Sequence, residues 1–288
     1  MNYSALIQNR KSVRAFSDRQ VPYPVLEQIR SYYLNSIRRL VPELKTELYF
    51  FGTDTRVALE GAAGYNQFLV GAPQYLVLMS QADPLAAMNA GYMMEDLILK
   101  LTDLDLDSCW LTFADSEDVK ASLGIESELQ VAAIAAFGFG VKTTKRLRLN
   151  IRSMSDIDII AKRQYTEPKR RIRDMVFLNT WGNTNRLEDR LGFFDDMLWE
   201  SVYAAALAPS YLNRQAYGFV IHDDGISLVS RPDAYTPQAD GDLSLGIVLH
   251  HFSSVAEKWV GRLSWQFGGE NEDLALPQGH KLIATCAL

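Results

Sequence analysis

Gly91–Trp110 (GYMMEDLILKLTDLDLDSCW) decides the fold, because its pattern occurs a second time in the chain. Leu97 and Leu101 have the spacing of the apolar face of an amphipathic helix, which ends in a short turn. Gly246 and Trp265 bracket a second apolar helix and turn, and the two glycines and the two tryptophans are each 155 residues apart. We therefore predict a chain built from two related units.

A weaker repeat supports this division. Leu40–Phe51 and Leu207–Phe219 both suggest a helix, a Pro turn and a strand, and they begin 167 residues apart. The stretch from Lys142 to Arg173 is rich in Lys and Arg and has little apolar periodicity, as expected of a solvated connection. We place the boundary near residue 160, with a first unit at 1–160 and a second unit at 161–288.

The periodicity of the sequence predicts a mixed fold. Helices are expected near residues 3–9, 23–40, 86–104, 116–122, 194–207 and 242–259. Clusters of β-branched and aromatic residues predict strands at Leu48–Gly52, Tyr75–Met79, Val131–Phe139, Gly218–His222 and Ile226–Ser230. Helices mixed with strands that mostly do not alternate in polarity indicate an α+β fold.

Composition excludes several classes of protein. A chain of 288 residues that is 48% hydrophobic can bury a full core, and its net charge of -6 argues against a nucleic-acid partner. Cys109 and Cys286 form no disulfide framework, which favours a reducing, cytoplasmic location. The N-terminus has no signal-peptide pattern, and no stretch reaches the ~18 apolar residues of a membrane span, so no membrane partner is expected.

Arg10–Arg14 (RKSVR) is the first candidate for binding chemistry. It places three cations and a hydroxyl within five residues, and a terminal phosphate is well held by Arg forks and a neutral donor. In an extended chain, Arg10, Ser12 and Arg14 would lie on one side. An ordinary solvated basic turn is the alternative interpretation.

Ala208–Gln215 (APSYLNRQ) is the second candidate. The Pro ends the preceding helix, because the residue before Pro disfavours the helical region. Asn213 and Gln215 carry amides that both donate and accept hydrogen bonds, which suits the polar edge of a planar heterocycle. Asn213 could instead satisfy the backbone of the turn. Together the two candidates suggest a site for a phosphorylated planar cofactor.

Other chemistries lack their motifs. The four histidines, His222, His250, His251 and His280, show no spacing typical of metal ligands, so no metal is expected. The chain has no GxSxG elbow, no P-loop and no convincing dinucleotide fingerprint. Serine hydrolase, P-loop and Rossmann interpretations are therefore unsupported.

Four segments resemble one family. Arg10–Phe16 (RKSVRAF) resembles the N-terminal phosphate-binding stretch of nitroreductase-type flavoproteins, and Ala208–Phe219 (APSYLNRQAYGF) resembles their APSxxNxQPWxF segment. Gly91–Trp110 is similar to the family's central helix and following turn, and Lys169–Phe177 (KRRIRDMVF) to the linker of its long single-chain members. The matches span almost the whole chain in the family's order.

The resemblance implies a nitroreductase-like α+β fold in which two units form a pseudo-dimer within one chain and hold FMN between them. It implies that the phosphate, ribityl or pyrimidine edge of FMN contacts Arg10, Lys11, Ser12 and Arg14, with Lys145 or Arg146 as a further basic residue. It implies that the ring is lined by Pro209, Ser210, Asn213 and Gln215, and that flavin N5 lies near the backbone of Leu111, Thr112 and Phe113. The chain departs from the family at Gln215-Ala216-Tyr217, where Gln-Pro-Trp is usual, and at Thr112, where Gly is common.

The implied activity is an FMN-dependent oxidoreductase that uses NAD(P)H to reduce small acceptors such as nitroaromatics or quinones. The cofactor would carry the chemistry, so no catalytic side chain is assigned. A non-catalytic flavin-binding or flavin-handling protein and an interaction scaffold remain the alternatives. Only one complete site is expected, because Glu43 stands where the mirror site would need the equivalent of Ser210. A monomer could therefore be functional.

Overall fold

The structure is a computed structural model that describes residues 1–64, 69–141, 146–153, 156–162, 170–185, 196–269 and 274–288. Its helices are α1 (Tyr3–Asn9), α2 (Tyr23–Asn35), α3 (Thr55–Leu59), α4 (Ala86–Asp103), α5 (Ser116–Leu123), α6 (Asp196–Ala206) and α7 (Gln238–Val260). Its strands are β1 (Thr46–Phe51), β2 (Gln74–Ser80), β3 (Asp107–Leu111), β4 (Gln130–Gly138), β5 (Arg146–Ser153), β6 (Asp156–Lys162), β7 (Val176–Leu178), β8 (Tyr217–Ile221), β9 (Gly225–Ser230), β10 (Gln266–Phe267) and β11 (Lys281–Ala287).

Two sheets share one strand order. The first sheet is β1-β2-β4-β3 and is antiparallel throughout. In the second sheet, β8-β9-β11-β10 repeats this order in antiparallel pairs, and β7 is added in parallel beside β8. The chain is therefore an α+β protein of two related units. The boundary near residue 160 falls inside β6, which pairs with β5, and it remains a prediction.

Helices α4 and α7 cross at the two glycines of the repeat. A Cβ atom on Gly91 would overlap the carbonyl oxygen of Leu243, and a Cβ atom on Gly246 would overlap that of Met88. Met88 and Leu243 are themselves 155 residues apart, so the repeat spacing in the sequence is also the spacing of the contacts. The missing side chains let the two backbones approach closely.

The core continues from one unit into the other. Met88 and Tyr92 of α4 belong to the apolar cluster under the second sheet, while Leu243 of α7 belongs to the cluster under the first. Trp110 packs against both clusters. The helix crossing therefore buries each unit against the other, which is the main apolar stabilisation of their pairing.

The predicted elements agree with the structure to within a few residues, but α3 and strands β7, β10 and β11 are not among them. Three further expectations need correction. Helix α2 ends at Asn35 rather than near residue 40, because the backbone N–H groups of Arg38 and Leu40 donate to Asp96 and Asn89 of α4 instead. The residues before Thr112 form strand β3 instead of a turn. The expected solvated connection contains the antiparallel hairpin of β5 and β6.

Among the described helices, none combines the length and the apolar character needed to cross a membrane. Cys109 and Cys286 are both buried free thiols.

Candidate functional site

The edge of the first sheet positions the basic stretch. Helix α1 ends at Asn9, and the Arg10 N–H donates to the Leu6 carbonyl at 2.8 Å. The chain then follows the free edge of β3, where Ser12 pairs in parallel with Ser108 and the Val13 N–H donates to the Ser108 carbonyl at 2.9 Å. Backbone pairing thus fixes the path of the residues predicted to hold a phosphate.

Their side chains differ in exposure. Lys11 and Arg14 are exposed, Ser12 is half-buried, and the Arg10 side chain is only 9% exposed. Arg10 Nε lies 3.3 Å from Glu95 Oε1 as an ion pair, and it is a buried atom without a hydrogen bond within the described chain. Burial raises the pKa of the Cys109 thiol on β3, while the charges of Arg14 and Arg10 oppose this rise. Both guanidinium groups therefore lie near this strand.

The last turn of α6 leads to the second predicted segment. Three successive carbonyl groups of this turn accept hydrogen bonds from side chains. The pairs are Ala204 O with His251 Nδ1 at 3.0 Å, Ala205 O with Tyr217 Oη at 3.0 Å, and Ala206 O with Gln215 Nε2 at 2.9 Å. The end of the helix, where a chain normally frays, is held by α7 and the second sheet.

The loop from Ser210 to Gln215 is strained. Leu212, Asn213 and Gln215 have φ angles of 46°, 57° and 48°, in the left-handed region that residues with a side chain rarely adopt. Ser210 holds the loop together, since its Oγ accepts from Gln215 N–H at 3.0 Å and its carbonyl accepts from Asn213 N–H at 2.9 Å. Several strained residues kept in one short loop are typical of a binding site.

Gln215 has a backbone-tethering role in this loop. Its side chain is fully buried, Oε1 accepts from Arg170 N–H at 2.8 Å, and Nε2 donates to Ala206 O. Both ends of the amide are therefore bonded to backbone. A contact of Gln215 with the ring edge remains a prediction.

The third predicted segment follows β3. Leu111 is its last, buried residue, and the Thr112 carbonyl accepts from Gly64 N–H at 2.7 Å. Phe113 pairs with Ala63. A neighbouring loop thus fixes the backbone at the position where N5 of a flavin is expected.

Helix packing brings the two predicted binding segments to one side of the molecule. Ile7 of α1 is buried with Ala204 of α6 and Val255 of α7, and Leu207 packs against the same cluster. Helix α1 leads into Arg10, and α6 leads into Pro209. The first unit's basic stretch and the second unit's loop therefore begin from helices that touch.

Two buried acid–histidine pairs at the crossing of α4 and α7 were not recognised in the sequence. Glu95 Oε1 lies 2.9 Å from His251 Nε2, and Asp96 Oδ1 lies 2.9 Å from His250 Nε2. All four side chains have no exposed surface. The signal was present: adding the repeat spacing of 155 to 95 and 96 gives 250 and 251. The pairs are crossed, since each acid contacts the histidine equivalent to its neighbour.

The pKa of each acid lies below its usual range despite its burial. Burial raises the pKa of Glu95, but Arg10, His251 and Trp110 outweigh it and hold that pKa below its usual range. Burial likewise raises the pKa of Asp96, but His250 Nε2, the Arg38 N–H and Tyr32 Oη outweigh it. Tyr3 Oη also donates to this carboxylate.

A mirror site would need its phosphate grip from Lys169–Arg173, and the described part of this stretch has a different environment. Arg171 makes a two-pronged ion pair with Asp174, at 2.9 and 3.2 Å. One of the cations that could hold a second phosphate is therefore already paired with an acid. Lys145, Lys169 and the side chain of Arg146 lie outside the described part of the chain.

Several solved structures that resemble this chain are described as nitroreductases. One from Thermotoga maritima, described as a putative nitroreductase, covers 100% of this chain and 93% of its own, at 20% identity and a TM-score of 0.59. An FMN-dependent nitroreductase from Clostridium difficile covers 48% of this chain and 87% of its own, at 18% identity and a TM-score of 0.42. A nitroreductase with bound FMN from Bacteroides fragilis covers 56% and 99%, at 19% identity and a TM-score of 0.42.

At 20% identity, the likeness to the Thermotoga maritima structure concerns the fold. No curated protein matches the sequence. The family model described as "Putative TM nitroreductase" matches residues 2–256, which cover nearly all of the first unit and most of the second, with the basic stretch and the Ser210 loop. The chain therefore belongs to this nitroreductase family.

Proposed function

We propose that the protein is an FMN-dependent oxidoreductase that uses NAD(P)H to reduce small oxidised acceptors such as nitroaromatics or quinones. The observation that carries the proposal is the convergence of Arg10, Ser12 and Arg14 along β3 with the helix that leads into the Ser210 loop. Membership of a nitroreductase family supports the same conclusion.

The residues of the basic stretch fit a phosphate monoester. Such a group carries close to two negative charges at neutral pH and three acceptor oxygens. Arg14 and Lys11 are exposed cations on the edge of the sheet, Ser12 adds a hydroxyl, and Arg10 pairs with Glu95 through Nε, so its two terminal nitrogens are not needed for that pair. One cluster of this kind suits FMN, which has a single terminal phosphate, better than a dinucleotide.

The loop of the second unit fits the flavin ring. Pro209, Ser210 and Asn213 lie in a loop whose backbone is held by α7, since the Tyr211 N–H donates to Ser244 Oγ at 3.2 Å. On the other side, the backbone of Leu111, Thr112 and Phe113 would stabilise negative charge at N5 if its N–H groups face the ring. When bound, FMN supplies hydride chemistry, and these residues supply its orientation.

The proposal includes one FMN per chain, bound between the two units of a monomer. It also includes a cytoplasmic location, which suits two buried free cysteines.

The visible spectrum of the purified protein and the mass of its released cofactor test the proposal. We expect non-covalent FMN that is bleached anaerobically by NADH or NADPH and recovers when a quinone or nitroaromatic is added. Release of FAD, or no flavin after reconstitution, would contradict the proposal. Bound FMN that neither nicotinamide bleaches would instead identify a flavin-binding protein without hydride exchange.

A further inference from the structure

Glu95 and His251 join the basic stretch of the first unit to the helix that carries the loop of the second. Glu95 lies on α4 in the first unit and His251 on α7 in the second, and both are fully buried. Arg10 lies at one end of this connection and Ala204, in the last turn of α6, at the other.

Both oxygens of Glu95 are held. Oε1 lies 2.9 Å from His251 Nε2 and 3.3 Å from Arg10 Nε, while Oε2 accepts from Trp110 Nε1 at 2.9 Å. The carboxylate therefore has a fixed orientation. It contacts Arg10 through Nε, so the two terminal nitrogens of that guanidinium are not needed for the ion pair.

Both ring nitrogens of His251 are also held. Nε2 faces Glu95 and Nδ1 faces the Ala204 carbonyl at 3.0 Å, so both partners of the ring are acceptors. A proton must lie between His251 Nε2 and the Glu95 carboxylate for this contact to be a hydrogen bond. The two contacts hold the ring between α4 and α6. Ala204 lies five residues before Pro209, which begins the loop assigned to the flavin ring.

We propose that Glu95 and His251 are positioning residues that set the guanidinium of Arg10 relative to the Ser210 loop, and so align the phosphate and ring ends of one flavin site across the two units. This inference rests on the proposed function. Neither residue is assigned a contact with the cofactor, because Ala204 holds the ring of His251, His251 fixes Glu95, and Glu95 holds Arg10.

The crossing supplies a matched control pair. Asp96 and His250 have the same chemistry, the same burial and the same 2.9 Å contact as Glu95 and His251. The remaining donors to Asp96 are Tyr3, Tyr32 and the Arg38 N–H rather than Arg10. Changes at His250 and His251 therefore each break one buried acid–histidine contact, but only the acid beside His251 pairs with Arg10. His251→Gln also affects the contact to Ala204, whereas His250 Nδ1 has no partner within the described residues.

The experiment measures the Kd of FMN for reconstituted apoprotein by fluorescence quenching, for His251→Gln and His250→Gln, each with and without Arg10→Ala. We expect His251→Gln to weaken binding about tenfold and His250→Gln less than about twofold. In the Arg10→Ala background, His251→Gln should have no further effect, because the group that it positions is gone. Urea unfolding of each variant provides the stability comparison.

Equal weakening by His250→Gln and His251→Gln would overturn the inference, and so would a tenfold loss that persists in the Arg10→Ala background. If His251→Gln does not fold, Glu95→Gln replaces it in the same cycle with the same expected outcome, and Asp96→Asn is then its control. A parent protein that binds no FMN would contradict the proposed function itself, whereas a parent that binds FMN and shows an additive cycle would contradict only the positioning role.

Discussion

Gly246 on α7 faces the carbonyl oxygen of Met88 on α4 so closely that a Cβ atom at this position would overlap it. The obstructing atom belongs to the backbone of a buried helix, so the clash cannot be relieved by rotating a side chain. The separation of the two units is therefore set by a residue that has no side chain.

Gly246→Ala should destabilise the protein by about 3 kcal/mol, because overpacking a rigid contact forces the helices apart. Gly241→Ala is the matched control in the same helix, since the nearest atom to its Cβ would be Thr236 Cγ2 at an ordinary 3.7 Å. The control should be neutral or stabilised by up to about 1 kcal/mol. Urea denaturation measures both, and equal effects would show that the crossing tolerates a methyl group.

Asp96→Asn should lower the free energy of unfolding at pH 7 by about 3 kcal/mol, because it breaks one side of a buried pair. The folded-state pKa of Asp96 lies below its unfolded value, which is about 3.9 for an exposed Asp. The stabilisation is therefore fully present above the unfolded pKa and is lost as the pH falls through the folded pKa.

The stability gap between parent and Asp96→Asn should thus shrink from pH 7 to pH 3, as followed by urea midpoints. Asp103→Asn is the control, because Asp103 pairs with Lys100 at the surface and such pairs contribute at most about 1 kcal/mol. A gap for Asp96→Asn that stays constant down to pH 3 would mean that its carboxylate charge does not stabilise the fold.

Arg14→Ala should weaken FMN binding by about tenfold to over a hundredfold, the value of a charge-assisted contact of roughly 1.5 to 3 kcal/mol. Stability should change little, because the side chain is exposed. Arg30→Ala removes an exposed guanidinium that pairs with Glu27 on α2 and should leave the Kd unchanged. If Arg14→Ala retains full affinity but unfolds more easily, Arg14 has a structural role only.

Gln215→Leu and Asn213→Gly should separate two roles within one loop. Gln215→Leu leaves Ala206 O and Arg170 N–H without their side-chain partner and should cost about 1 to 3 kcal/mol of stability. Asn213→Gly keeps the left-handed backbone at φ 57° and removes the amide, so it should raise the Kd of FMN about threefold to tenfold with little loss of stability. If Gln215→Leu mainly weakened FMN binding and Asn213→Gly mainly lowered stability, the roles of the two residues would be reversed.

Titration of apoprotein should reach saturation at one FMN per chain, and sedimentation should show a monomer. The mirror site has Glu43 in place of Ser210, and Arg171 is paired with Asp174. Two flavins per chain, or binding that requires two chains, would contradict the single-site prediction. Asp174→Ala tests why the second site is missing. It frees Arg171 from its ion pair, but it should not create a second FMN site because Glu43 remains.

The sequence predicted the main helices and strands β1, β2, β4, β8 and β9, because their apolar residues follow strong local periods. Strand β3 escaped prediction because Asp107 and Ser108 are polar and its pairing with β4 is a long-range contact. The hairpin of β5 and β6 escaped because its many charges obscure the alternation of Leu147, Leu149 and Ile151.

The sequence motifs located the candidate binding segments, but they did not reveal the buried residues that hold these segments in place. Arg10 and Ser210 stand in recognisable segments, whereas Glu95 and His251 are far apart in the chain and each is an unremarkable residue of an apolar helix. Their pairing depends on a crossing that only the fold supplies. The glycine spacing indicated this crossing, but not which polar residues it would bury.

The crossed pairs also have an evolutionary consequence. Two copies of the first unit would bury Glu95 and Asp96 against acids, and two copies of the second would bury His250 and His251 against histidines. Neither half can replace the other at the interface, although their strands follow one order. The four positions are therefore complementary across the two halves, so a change in either half is constrained by the other.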